Sequence, residues 1–402
     1  MLETVLALLG MRSFVRLGIV CKSWHRAAAR LMESWSCLSP VAFDEGPEDL
    51  KHPTFVAQLP DGSLAISEMA SHTEGKPWRG SSAGQVRVVA SRNGNGAPVP
   101  ILEPTGCTYR GVAVKGWRRP TGIAVSDDAV YIGDEGLKTV HRYRLRTQTM
   151  EVLHGAHPSG YGWSPYGLAL TGFLRQSSGD EQHVHRLLLI SDSRSHDVVV
   201  VHVESRAAPP PSKAATHFYN VVQGVVGSGW WVSGSRPATD SFDHPRGVAY
   251  HPHHGVVVAD RGNDFIKFFG MTGCEVGDCV REVGGAGEAP GRFLGPYGVV
   301  FVGDDRLVVS EFEGRRVQVL TPQGAPLQVL PLPGTMCATG VIFDAAASAL
   351  YVAAFLVRTG TGRLYKYAVA SSAAPTATEA PLADDSYSDG GMRFTLSPWR
   401  DR

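Results

Sequence analysis

At 402 residues, with 43 % apolar but only 19 % charged residues, the chain can bury a large core. It is too rich in glycine (46) and proline (26) to be a helical bundle. Its 38 basic residues equal its 38 acidic ones, which excludes a global field that would draw nucleic acid or anionic lipid.

No run reaches the roughly 18 apolar residues of a membrane helix, so no membrane association is expected. The short apolar stretch 5–9 follows Glu3 rather than a basic segment and precedes Arg12 and Arg16, so it reads as part of a folded helix, not a signal peptide. The cytoplasm, or the nucleus, is the expected location.

Residues 1–36 form a helical head by pattern. Leu6, Leu9, Phe14, Leu17, Val20, Cys21 and Trp24 recur mostly at three- and four-residue steps. Ser13 is placed to cap a second helix after Gly10. Leu9 onward, through the phrase Val20-Cys21-Lys22-Ser23-Trp24, resembles the second half of an F-box, without the Leu-Pro opening of that family. The resemblance implies that Leu6, Leu9, Phe14, Leu17, Val20 and Trp24 face a Skp-type adaptor of a cullin–RING (SCF-type) ubiquitin ligase, as helix anchors in a groove.

Residues 37–369 carry a repeat. A proline, one variable residue, glycine and alternating apolar residues lead to a second apolar run that ends in an acid. Copies begin at Pro53, Pro120, Pro165, Pro245 and Pro296, with a sixth at Ala338, and the acids are Glu68, Asp134, Asp192, Asp260 and Glu311. The offset from proline to acid is 15 in three copies (53 to 68, 245 to 260, 296 to 311), 14 in one (120 to 134) and 27 in one (165 to 192). A polar insert at 176–185 accounts for the long one.

Third strands are expected at 85–89, 139–144, 197–203, 265–269, 316–320 and 364–369. Six copies at a period of roughly 45 residues imply an all-β, six-bladed propeller. The prolines suit strand starts, where no N–H is needed, and the acids suit caps for the following turn.

The phrases Phe242 to Ala249, Asp260 to Phe269 and Gly284 to Phe293 resemble NHL repeats, a likeness that spans roughly 53–369. Some propellers of that family bind single-stranded RNA, and a related peptide-amidating lyase holds zinc at the axis through histidines. At the variable position this chain has Thr54, Thr121, Tyr166, Arg246, Tyr297 and Thr339, none of them histidine, so no metal, cofactor or catalytic residue is predicted. Symmetry predicts that these six surround one channel mouth, with Arg261 and Phe312 in a second ring beside Glu135, Ser193 and Phe355. A protein partner at this mouth is the favoured reading, since Tyr and Arg dominate binding hot spots. RNA is the alternative partner, through Trp117 with Arg118, Arg119, Arg142, Arg144 and Arg146.

The histidines at 183 and 185 are expected in the polar insert, and those at 251, 253 and 254 in a turn. Cys274 and Cys279 are expected to flank a Gly-Asp turn as free thiols. Residues 370–390, rich in Ala, Ser, Thr, Pro and Asp, read as a disordered linker. Two segments can close the ring: 38–43 or the strand-like tail within 391–402.

Overall fold

The computed structural model describes residues 38–41, 49–69, 84–89, 102–104, 106–109, 112–155, 163–175, 183–207, 217–226 and 241–369. The head, 1–36, with its six adaptor-facing residues, lies outside the described residues, as do 370–390 and 391–402.

Each repeat folds into one antiparallel sheet, and six such sheets form the blades. Their inner strands are Pro53–Gln58, Pro120–Val125, Pro165–Leu170, Pro245–His251, Pro296–Val302 and Cys337–Asp344 for blades 1 to 6. Among the described residues blade 1 has three strands, and none is helical.

The proline-to-acid offset is the register of the first hairpin. Pro53 lies opposite Glu68, Pro120 opposite Asp134, Pro165 opposite Asp192, Pro245 opposite Asp260 and Pro296 opposite Glu311. In every blade the register shifts within the three residues after that first pair, including blade 6 after Ala338. A missing proline N–H at the first pair costs the ladder little.

The acids are caps. Asp134 accepts from the backbone N–H groups of Arg118, Arg119 and Leu137, and Asp192 from those of Ser164, Arg194 and Ser195. Glu68 reaches Lys51 N, Asp260 reaches Asp243 N and Glu311 reaches Leu294 N, each tying the lead-in to its own blade. In three blades a cation from the third strand also reaches the acid: Arg87 to Glu68 at 2.7 Å, Lys267 to Asp260 at 2.9 Å and Arg316 to Glu311 at 2.6 Å.

The apolar core is six wedges, one between each pair of successive blades. Tyr131, Leu188 and Val201 belong to the wedge of blades 2 and 3, for example, and Phe268, Phe293 and Leu307 to that of blades 4 and 5. Each such side chain contributes roughly 1.5–3 kcal/mol by leaving water. The repeat glycines let the inner strands approach. A Cβ on Gly167 would lie 2.1 Å from Arg246 O, and one on Gly247 would lie 2.5 Å from Tyr297 O, both in the next blade.

The ring closes through the N-terminal side. Leu38–Val41 pairs antiparallel with the last strand, Thr361–Val369, and forms the outer edge of blade 6.

Two local expectations need correction. The second strand of blade 3 is His183–Asp192, so His183 and His185 stand on a strand and not in an insert; their polarity disguised an edge that pairs with Leu174–Arg175. The hairpin of blade 4 turns at Gly273 and Cys274, where Gly273 has φ 57°, while Gly277 and Asp278 sit within the strand Glu275–Gly284. Neither Cys274 nor Cys279 is in a disulfide.

Candidate binding site at the channel mouth

The variable residue after each repeat proline follows one of two courses, set by side-chain length. Thr54, Thr121 and Thr339 are 0 % exposed. Their hydroxyls donate into the next blade: Thr54 Oγ1 to Pro120 O (3.2 Å), Thr121 Oγ1 to Pro165 O (2.9 Å) and Thr339 Oγ1 to Pro53 O (2.9 Å). Ser67, Ser191 and Ser310, from the second strands, donate likewise to Thr121 O, Arg246 O and Thr339 O. The three threonines are therefore staples between blades and not part of an exposed recognition ring, which corrects the expectation for them.

Tyr166, Arg246 and Tyr297 are too long for that role and reach the axis. Here they meet a residue that repeat symmetry did not announce, Phe55, which replaces the glycine of blade 1. Its ring centroid lies 6.0 Å from that of Tyr166 and 5.8 Å from that of Tyr297, and the two tyrosines are 5.7 Å apart. Three rings from alternate blades thus form a nearly equilateral plug, each 9 % exposed or less. Gly340 gives Phe55 its room, since a Cβ there would come within 2.5 Å of Phe55 Cα. The tyrosine hydroxyls share a hydrogen bond of 2.5 Å. Burial, with Tyr166 beside it, holds the Tyr297 hydroxyl well above its usual pKa.

Above this plug lies a cationic and aromatic rim. The Arg246 guanidinium stacks over Tyr166, with Cζ 3.8 Å from the ring centroid, and stands 5.9 Å from that of Tyr297. Arg261 lies 5.4 Å over Phe312 and pairs with Glu313. Phe312 stacks on Tyr297 at 5.8 Å and meets Phe355 at 5.7 Å, which in turn meets His52 at 5.0 Å. The structure therefore brings together Tyr166, Arg246, Tyr297, Arg261 and Phe312 of the predicted set, and adds Phe55, Phe355 and His52. Of the remaining second-ring residues, Glu135 pairs with Arg119 at 2.9 Å and Ser193 is buried.

The proposed RNA platform is built otherwise. Trp117 is 1 % exposed and donates its indole N–H to Leu102 O at 2.7 Å, so it offers no face to a base. Arg142 and Arg144 both pair with Glu151, at 2.7 and 2.8 Å.

Among the described residues one group has metal-ligand types close together. Atoms of His196, Asp243 and His244 lie within 4.8 Å of one another where blade 3 meets blade 4. The Nδ1 of His196 accepts the backbone N–H of His244 at 3.0 Å, and His244 Nδ1 lies 2.6 Å from Asp243 Oδ1, so internal hydrogen bonds already engage these atoms. At the far end of the channel, Gln58, Asp61, Ser126, Thr171 and Arg186 line a depression of about 640 Å³, where Arg186 is paired to buried Glu204 at 3.1 Å. No helix among the described residues is long and apolar enough to cross a membrane.

No family model matches the sequence, and no curated protein matches it. Among solved structures, an auxiliary nutrient binding protein from Bacteroides thetaiotaomicron is similar over 80 % of this chain and 71 % of its own, at 11 % identity and a TM-score of 0.48. A gluconolactonase from Xanthomonas campestris is similar over 83 % and 94 %, at 16 % identity and 0.45. A catalytically inactive virginiamycin B lyase from Staphylococcus aureus, with quinupristin, is similar over 83 % and 98 %, at 10 % identity and 0.41. Likenesses this distant carry no argument about activity, and the six-bladed fold rests on the strand pairing of this chain itself.

Proposed function

We propose that this chain is a non-enzymatic interaction protein whose propeller, NHL-like in its repeats, receives a protein partner at the plugged mouth. Its F-box-like head, 1–36, then presents that partner to a Skp-type adaptor of an SCF-type ubiquitin ligase in the cytoplasm or nucleus. The observation that carries the first half is the rim itself: two arginines laid on aromatic rings, Arg246 on Tyr166 and Arg261 on Phe312, above a floor of packed rings. Rigid aromatics and preorganised guanidinium groups are what binding hot spots are made of. The aromatic plug fills the axis directly beneath them, which favours contact with a partner's surface over enclosure of a small substrate.

The second half rests on the Val20-Cys21-Lys22-Ser23-Trp24 phrase. Co-expression with a Skp-type adaptor, followed by size-exclusion chromatography, tests it. A stoichiometric complex that is lost in Trp24→Ala supports the ligase reading. An adaptor that elutes apart from the full chain refutes that half and leaves a free-standing recognition propeller.

A further inference from the structure

Among the described residues, two arginines at the mouth have carboxylate counterparts. Arg261 is matched by Glu313 and Arg119 by Glu135. Arg246 is not. It sits half-buried on the ring of Tyr166, its Nε is closed off from solvent, and among the described residues that nitrogen has no hydrogen-bond acceptor and the guanidinium no carboxylate. The residue is held from behind: its own backbone carbonyl takes the Ser191 hydroxyl, and Gly167 and Gly247 press the neighbouring strands against it. A buried guanidinium donor left without an acceptor is costly, because desolvation is not repaid.

We propose that Arg246 is a carboxylate-binding residue, which takes a carboxylate of the protein partner in a two-pronged hydrogen bond from its two Nη groups. The inference rests on the reading of the mouth as a partner site and names the chemistry recognised there. The charge balance selects the ligand class. A guanidinium laid on a ring with no carboxylate partner fits a monoanion, whereas a phosphate monoester, near −2 at neutral pH, favours a second cation close by, and Arg261 is already paired with Glu313. The aromatic rim of Phe312 and Phe355 adds an apolar wall beside that charge, suited to an aromatic or aliphatic side chain next to the carboxylate. The carboxylate can belong to a chain terminus or to an acidic side chain, and the experiment separates these.

The test uses the full chain and four probes in isothermal titration. N-acetyl-phenylalanine carries a terminal carboxylate, and N-acetyl-glutamyl-phenylalanine amide carries a side-chain one. N-acetyl-phenylalanine amide carries none, and phenyl phosphate is the alternative anion. At least one carboxylate probe is expected to bind saturably and to weaken about ten-fold or more in Arg246→Gln, with no change in the exposed control Arg175→Gln. The better of the two carboxylates names the source. The inference is overturned if neither carboxylate binds, if the neutral amide binds as well, if phenyl phosphate binds tighter than both, or if Arg246→Gln binds like the parent.

Should Arg246→Gln not fold, the Nε–H resonance of Arg246 in the parent provides a second readout. It is expected to shift with a carboxylate probe and to stay in place with the amide; an unmoved resonance at saturation overturns the assignment. The outcome is independent of the wider reading. Probes that bind while no protein partner does would refute the partner proposal alone, and a partner that binds Arg246→Gln undiminished would refute the role of Arg246 alone.

Discussion

The hydroxyls of Tyr166 and Tyr297, 131 residues apart in the chain, meet at 2.5 Å across the axis of the ring. Their rings and that of Phe55 are the point where blades 1, 3 and 5 touch without intervening strands. Replacing Tyr297 by Phe leaves the buried Tyr166 hydroxyl without its partner, and a loss of about 1–2 kcal/mol in urea unfolding is expected. The double variant with Phe at both positions should recover part of that loss, since no buried hydroxyl is then stranded. A double variant less stable than the sum of the singles would contradict this account.

Lys267 is 1 % exposed and lies between Asp260, at 2.9 Å, and Glu282, at 3.3 Å. Lys267→Met strips the cation from a buried carboxylate that also caps Asp243 N. A destabilisation of about 3–5 kcal/mol follows from breaking one side of a buried pair. Combining it with Asp260→Asn should cost much less than the sum of the two changes, which a double-mutant cycle measures.

Gly247→Ala would set a Cβ against backbone atoms of blade 5, at 2.5 Å from Tyr297 O and 3.0 Å from Gly298 Cα. Neither can swing aside as a side-chain end would, so the strands must part, at a cost of about 1–3 kcal/mol or more. The comparison is Gly277→Ala on the outer strand of blade 4, where the nearest atom is 3.6 Å away. Melting temperatures of the two variants should differ clearly, with only the first depressed.

Asp197 gives the fold a pH dependence. Burial, with Asp192 beside it, raises its carboxyl pKa to about 8 from an ordinary 3.8. The folded state therefore keeps a proton that the unfolded chain releases near pH 4, and stability falls as pH rises between those values and levels off above 8. Buried His141 acts in the opposite sense. Its pKa is lowered by burial to about 4, so its effect on stability appears as pH drops below its ordinary value of 6.5. Between pH 6.5 and 8 the aspartate stands alone of these two, and a decline of about 1.5 kcal/mol is expected in the parent. Asp197→Asn should be flat across that window; equal slopes in parent and variant would rule out Asp197 as the source.

The repeat was legible because its signal was geometric: the distance from Pro245 to Asp260 in sequence is the length of a hairpin, and the two residues face each other across it. The mouth was legible only by half. Thr121 and Tyr166 occupy equivalent positions, yet one bends into its neighbour's backbone and the other crosses to the axis, a difference of reach that periodicity does not encode. Phe55 stands where the other copies have glycine, and nothing in the pattern says that such a departure fills a channel. The mismatch of Arg246 depends on which acids point elsewhere, and only three-dimensional placement reveals that.

The pairing of Leu38–Val41 with Thr361–Val369 has a consequence for how the molecule is made. On the ribosome, the strand that completes blade 6 emerges ahead of all six inner strands, and its partner emerges more than three hundred residues later, between 41 and 361. Through that interval blades 1 to 5 can assemble in order, each on the one before, but an open arc exposes an apolar wedge at both ends. A chain halted before residue 361 would keep that surface uncovered, and so would one begun after residue 41 keep an unpaired strand edge, the state most open to chaperones, proteases and aggregation.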